Sequence, residues 1–230
     1  MIVGHGLLAR AFAARYADTP DVTIFASGVS NSRTTDETAF ARERALLEPL
    51  LDGPGRVVYF GSCGSTNSDP ATDTPYMRHK RAMEAMVAGS PAGFVLRLPQ
   101  VVGLTANPTT LTNFIRDRIL SGTLFTVWTK AERNLIDVED VAAIGARLIE
   151  RGGDDGRIFS IASAASLPMP EIVAILERVL GRKAHFVTEP LGSPLRIQAD
   201  QALAIADELG IDLGTGYAEA VIRKYYAPRT

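Results

Sequence analysis

Residues 1–12 read MIVGHGLLARAF and residues 21–32 read DVTIFASGVSNS. In the first stretch a short apolar run, Ile2-Val3, leads into Gly4-His5-Gly6 and then into a helical pattern from Leu7 to about Ala17, with the small Ala9 three positions after Gly6. Glycines so placed let the chain turn sharply from strand to helix and bring backbone N–H groups against a phosphate. In the second stretch Val22–Phe25 forms the next strand. Its end is where an acidic side chain would hold a ribose, and the residues there are Phe25, Ala26, Ser27 and Gly28. A phosphate turn without a ribose carboxylate asks for an explanation from the rest of the chain.

Outward from these two stretches, apolar runs alternate with helical patterns. A helix is expected over 36–51, a strand over 57–60, a helix over 76–87 and a strand over 94–96. The strand cores are continuous apolar runs, which suits parallel strands covered on both faces, and the βαβ order gives an α/β fold with a Rossmann-like doubly wound parallel sheet. After residue 103 the alternation stops. Residues 104–135 are mixed, a helix is expected across TLTNFIRDRILSG, and IDVEDVAAIGARLIE, the strand RIFSIAS and further helices follow. The expected division is a cofactor-binding domain over 1–103, with segments around 133–163 returning to it, and a small C-terminal α/β substrate lobe over 104–230.

Composition narrows the function. The chain has 230 residues, 46% hydrophobic and 22% charged, with a formal net charge of -2. That is ordinary globular material without a basic field, so nucleic acid is not an expected partner. No apolar run is long enough for a bilayer, no targeting segment is read at the N-terminus, and a cytoplasmic protein is the expectation. His5, His79 and His185 are scattered and Cys63 has no Cys or His near it, so no metal site is expected. Cys63 reads as a buried filler, and Trp128, the one tryptophan, as a core or interface residue before a stacking platform.

The chemistry is concentrated in residues 57–87, VVYFGSCGSTNSDPATDTPYMRHKRAMEAMV. Ser62 follows a strand, and Tyr76 and Lys80 stand four apart at the start of a helix, on one face. A cation beside a phenol favours the phenolate, and a serine at a strand end can hydrogen-bond a carbonyl or alcohol. The three make a proton-transfer set.

In order along the chain, GHGLLA (4–9), GSCGST (61–66), YMRHK (76–80), RLPQVVG (97–103) and RNLIDVEDVA (133–142) resemble the motifs of the extended short-chain dehydrogenase/reductases, the NAD-dependent epimerase/dehydratase group that modifies nucleotide sugars. The resemblance implies Tyr76 as general acid/base, Lys80 as the residue that lowers its pKa and holds the nicotinamide ribose, and Ser62 as the group polarising the reacting carbonyl. It implies NAD or NADP as cofactor, bound by Gly4, Gly6, Leu7, Ala26, Ser27, Gly28, Tyr76, Lys80 and Pro99. Arg133 takes the place of an arginine on the substrate phosphates, Gln100 that of an asparagine, and Asn113 that of a substrate-lobe asparagine. A homodimer through the helices at 36–51 and 76–87 is implied in the same way.

Two departures stand out. The link from Ser62 to Tyr76 is short and carries Pro70 and Pro75. Four strands are counted where the family has about six, and DVTIFASGVSNS is similar to the family's fourth strand, not its second. Deleting strands 2 and 3 from the order 3-2-1-4-5-6 leaves an unbroken sheet, truncated in its first half. The strand that carries the ribose carboxylate is then missing altogether. The expected function is hydride transfer on a nucleotide-activated sugar, by 4-keto reduction or epimerisation. The rival is a non-catalytic module of the same fold that holds a nucleotide sugar or a partner and has weak or lost cofactor binding.

Overall fold

A computed structural model of the chain describes residues 1–66, 73–152 and 157–228. In chain order its elements are β1 (Ile2–Val3), α1 (Leu7–Tyr16), β2 (Val22–Phe25), α2 (Glu37–Leu47), β3 (Arg56–Ser62), α3 (Pro75–Gly89) and β4 (Gly93–Leu98). There follow β5 (Gln100–Val102), α4 (Leu111–Ser121), β6 (Phe125–Trp128), β7 (Glu132–Arg133), β8 (Leu135–Asp137), α5 (Val138–Arg151) and β9 (Ile158–Ser160). The chain closes with β10 (Leu167–Pro168), α6 (Met169–Leu180), β11 (Phe186–Glu189), α7 (Asp200–Glu208) and α8 (Tyr217–Tyr226).

Two compact units result, the first from Met1–Leu98 with Val138–Ile161, the second from Pro99–Asp137 with Ala162–Thr230. The crossings thus fall at 98/99, 137/138 and 161/162, against the 103, 133 and 163 read from the sequence. Strand pairing explains the shift: β5 is hydrogen-bonded in parallel to β8, Gln100 opposite Leu135, which takes both segments into the second unit.

The first unit is built on a five-stranded sheet in the order β1-β2-β3-β4-β9, parallel throughout. The four strands counted ahead of the second lobe are β1–β4, and the later strand read in RIFSIAS joins their sheet as β9, whose Phe159 pairs with Leu96 and stacks on Phe94 at 5.0 Å. Among the described residues β1 pairs with β2 alone, Ile2 opposite Ile24, so it is an edge strand. That is the position left to it when the family's second and third strands are absent.

Period-two alternation along β3 sends Val57 and Tyr59 into one layer, with Phe25, Leu47, Met83, Val87 and Val95. On the other face Phe60 meets Phe12 of α1, their rings 5.2 Å apart. Helix α2 starts at Asp36, whose carboxylate accepts from Thr38 N at 2.9 Å and Ala39 N at 3.3 Å. It ends sooner than the sequence reading of 36–51, because Pro49 supplies no N–H and Glu48–Leu50 tightens into a 3-10 turn. Helix α3 starts on Thr74, which accepts from Met77 N at 3.2 Å, with Pro75 in the first turn where its missing N–H is harmless. Pro70 lies outside the described residues.

The second unit has its own core of Val102, Ile115, Phe125, Leu135, Ile172 and Ile222, around β5–β8, the antiparallel pair β7–β10 and the parallel pair β6–β11. Trp128, read as a core or interface residue, is 45% exposed at the end of β6.

Candidate active site

The three residues read as a proton-transfer set, Ser62, Tyr76 and Lys80, all fall in the first unit, Ser62 on β3 and the other two on α3. Ser62 closes β3, and its backbone N–H donates to Glu84 Oε1 at 3.0 Å. Glu84, buried on α3, also receives Arg97 Nε at 2.8 Å and has Ser65 Oγ 3.0 Å from both its oxygens. Gly61 permits this: a Cβ there would overlap the Glu84 carboxylate. Ser62 Oγ accepts from Gly64 N at 3.2 Å.

Tyr76, Lys80 and Glu84 follow one another at one-turn intervals on the face of α3 that meets the sheet, and all three are buried. The Lys80 ammonium lies 5.8 Å from the Tyr76 ring centroid. The Tyr76 hydroxyl has no hydrogen-bond partner among the described residues. Lys80 is held on three sides, by Tyr59 Oη at 2.8 Å, Glu43 Oε1 at 3.2 Å and the Phe60 carbonyl at 3.4 Å.

The sequence reading has Lys80 lower the Tyr76 pKa, and the surroundings act the other way. Burial, and after it the carboxylates of Glu43 and Glu84, hold the Tyr76 phenol well above its usual range. Burial also draws the Lys80 ammonium down while Glu43 draws it back. Cys63 is buried and its thiol is pushed up to about 12 by that burial, leaving it inert as a nucleophile.

The residues read as cofactor contacts lie at the start of α1 and in the loop after β2. Gly4 has φ +120°, and a Cβ on it would stand 2.5 Å from the Ala26 carbonyl oxygen. Glycine is required there. Gly6 caps α1 without a side-chain hydrogen bond, and nothing lies within 4 Å of where its Cβ would be. The first bond of the helix runs from Arg10 N to the Gly6 carbonyl at 3.1 Å, so the N–H groups of Leu7, Leu8 and Ala9 precede it. Ala26 N donates to Val3 O at 2.8 Å, and the Ser27 carbonyl accepts from Arg42 at 3.2 Å. A Cβ on Gly28 would lie 3.0 Å from both Glu43 Oε1 and Lys80 Nζ.

In the second unit the predicted substrate contacts divide. Arg133, on β7, donates to the Glu132 carbonyl at 2.6 Å and forms no ion pair among the described residues. Burial draws its pKa down, the mark of a guanidinium short of an anion. The strand is fixed by Asn134, which sequence reading missed: buried, it donates to the carbonyls of Ser163 at 2.9 Å and Ala165 at 3.1 Å and accepts from Ser163 N at 3.0 Å. Gln100 is half-buried on β5, its backbone N–H bonded to the Asn134 carbonyl at 3.0 Å.

Asn113 departs from its predicted role. Its amide donates to the Thr105 and Asn107 carbonyls at 2.9 and 2.8 Å and accepts from Tyr226 Oη at 2.8 Å. With both N–H groups used and 1% exposure it holds a loop and leaves nothing to a ligand. Pro99 opens the second unit. Among the described residues no group of His, Cys, Asp and Glu is arranged to hold a metal, and no helix is long and apolar enough to cross a membrane.

A family model described as the NAD dependent epimerase/dehydratase family matches residues 6–162. Among solved structures the chain is similar to MoeE5 in complex with UDP-glucose and NAD, with a TM-score of 0.67 and 18% identity, over 89% of this chain and 78% of that one. It is similar to the UDP-glucose 4-epimerase of Thermus thermophilus in complex with NAD, with a TM-score of 0.67 and 17% identity, over 95% and 81%. The RMD protein of Pseudomonas aeruginosa complexed with NADPH gives a TM-score of 0.63 and 16% identity, over 96% and 84%. At such identities the likeness is one of fold. No curated protein matches the chain.

Proposed function

The chain belongs to the NAD dependent epimerase/dehydratase family, and on that premise we propose that it is an oxidoreductase or epimerase acting on a nucleotide-activated sugar, with Tyr76 moving the proton. The observation that carries this reading is the Tyr76 hydroxyl, without a hydrogen-bond partner among the described residues, one helical turn from Lys80 on α3 and in the same unit as Ser62 at the end of β3. A nicotinamide supplies or removes the hydride at the sugar carbon when NAD or NADP is bound. In 4-keto reduction the carbonyl oxygen takes the Tyr76 O–H proton as the hydride bonds to carbon, and Ser62 Oγ polarises that carbonyl. Epimerisation runs the same transfer in both directions.

The residues of the phosphate turn fit a dinucleotide. Gly4 leaves the backbone its close passage under Ala26, and the N–H groups at Leu7–Ala9 carry no side-chain cap, with no heavy atom within 4 Å of where a Cβ on Gly6 would stand. Arg133, partly buried and without a carboxylate partner among the described residues, suits the diphosphate of the substrate. UDP-glucose in MoeE5 supports the same substrate class. The test is Tyr76→Phe, which keeps the ring and removes the proton. Turnover of 4-keto nucleotide sugars with NADH or NADPH should fall by at least about 100-fold, with the circular dichroism spectrum unchanged. Undiminished turnover would sink the mechanism.

A second reading rests on β1 being an edge strand and on Lys80 having its donors engaged internally. Both point to a module that binds a nucleotide sugar with little hold on a cofactor. Calorimetry that finds UDP-sugar binding and no NAD or NADP binding selects it.

A further inference from the structure

Glu43 occupies the buried face of α2 between Phe40 and Leu47 and has no exposed surface. A carboxylate does not stay in such a place without partners. Four donors converge on it: Val29 N at 2.6 Å, Tyr59 Oη at 2.7 Å, His79 Nε2 at 3.0 Å and Lys80 Nζ at 3.2 Å. They come from the loop after β2, from β3 and from α3, so one side chain ties three parts of the unit together. The His79 ring is itself fixed by stacking on Phe40, centroids 4.4 Å apart. Lys80, 3% exposed, points its three N–H groups at Tyr59, Glu43 and the Phe60 carbonyl. For Lys80 to bond a ribose hydroxyl it must release one of them.

We propose that Glu43 is a positioning residue of the proton-transfer site, which draws the Lys80 ammonium into the interior, cancels its charge there, and so keeps Tyr76 a proton donor instead of a base. The inference rests on the reading of Tyr76 as the proton-moving group. A lone ammonium near a phenol stabilises the phenolate; paired with a carboxylate it presents a dipole whose field fades quickly. The groups facing Tyr76 and Lys80 are Glu43 from α2, Tyr59 from β3, and His79 and Glu84 from α3, the last neutralised by Arg97 of β4 at 2.8 Å. A tyrosine kept protonated by this arrangement suits the reducing direction, in which its O–H proton passes to the substrate oxygen.

Glu43→Gln keeps the shape and the acceptor and removes the charge. Tyrosinate absorbance is followed against pH in the full chain and in E43Q, each with its Tyr76→Phe version subtracted, without cofactor or substrate. Tyr76 should titrate lower in E43Q by about one to two pH units. An unchanged titration overturns the proposal. Tyr59→Phe keeps both charges and should leave Tyr76 where it is, whereas a shift as large as that of E43Q would show that packing, not charge, is responsible.

If E43Q does not fold, the wild-type chain decides the matter. It has four lysines, of which Lys130, Lys183 and Lys224 are exposed. One isotope-labelled ammonium signal protected from exchange at neutral pH is expected, and its absence overturns the proposal. A chain that binds no nicotinamide yet shows these effects loses the proposed function and keeps this role for Glu43. A chain that turns over through Tyr76 without them does the reverse.

Discussion

Tyr76 and Lys80 are legible in the sequence because a spacing of four on a helix is a local fact, whereas Glu43 reaches Lys80 across 37 residues and sits in ARERALLE with an arginine on either side. The available signal was its register. Phe40, Glu43 and Leu47 lie on one stripe, so the helix periodicity buries the glutamate with its apolar neighbours. Its pairing has a pH consequence. Burial pushes the Glu43 carboxyl up, but the Lys80 ammonium and the hydrogen bonds from Tyr59, Val29 and His79 more than offset it, and the folded value lies below the ordinary 4.5. The unfolded chain therefore takes up this proton first on acidification. Stability from Glu43 is complete above about 4.5 and is lost as pH falls toward the folded value. Urea midpoints from pH 6 to pH 3 should fall less steeply for E43Q than for the wild type, and parallel slopes would show Glu43 to be unpaired. Gly61 gives a sharper test at the same scale. Gly61→Ala would drive Glu84 off the Ser62 N–H and off Arg97, at a cost of about 2–4 kcal/mol in urea unfolding. A loss below about 0.5 kcal/mol would mean that Glu84 is free to move aside.

Elements differ in how plainly they are written. β1, α1 and β2 follow from apolar runs punctuated by Gly4 and Gly6, and α3 from Thr74-Pro75 at its start. β11 was not legible, because all four of its residues are exposed and no alternation marks it; its existence depends on β6, with Phe186 opposite Phe125. β9 was recognisable as a strand, but its place beside β4 is a matter of topology, not of its own three residues. For α2 the cap sets the start of the helix and hence which side chains face the sheet. Asp36→Ala should cost about 1 kcal/mol and, by fraying the first turn, raise amide exchange at Thr38 and Ala39 before it affects Glu43 further along. Equal exchange in both proteins would show that packing alone holds the first turn.

At the scale of the whole sheet, the missing ribose carboxylate has a structural reading. β2 lies directly beside β1, Val3 opposite Phe25, and among the described residues nothing pairs with the other side of β1. The strand that would carry an acidic side chain beside the adenosine ribose is not there among the described residues, while the glycine turn at Gly4 and Gly6, one residue shorter than the family's, is kept. The two halves of a dinucleotide should therefore be held unequally. The pyrophosphate keeps the N–H groups at the start of α1; adenine loses a wall and its ribose loses a charged partner. Together these losses should weaken binding by about 2–4 kcal/mol, on the order of 30- to 1000-fold against a complete site. NAD and NADP should then bind with similar, weak affinity, since neither the 2′-hydroxyl nor the 2′-phosphate meets a dedicated group. Arg33 and Arg42 bear on this point. Arg42 is already bonded to the Ser27 carbonyl and Arg33 N to Asn31, and an arginine redirected to a 2′-phosphate from that loop would break the symmetry in favour of NADP. Parallel titrations with the two cofactors, repeated with Arg33→Ala and Arg42→Ala, separate the cases. Equal weak binding unaffected by either change is the expected outcome; submicromolar binding of NADP that either change abolishes would mean that the loop after β2 has taken over the work of the missing strand.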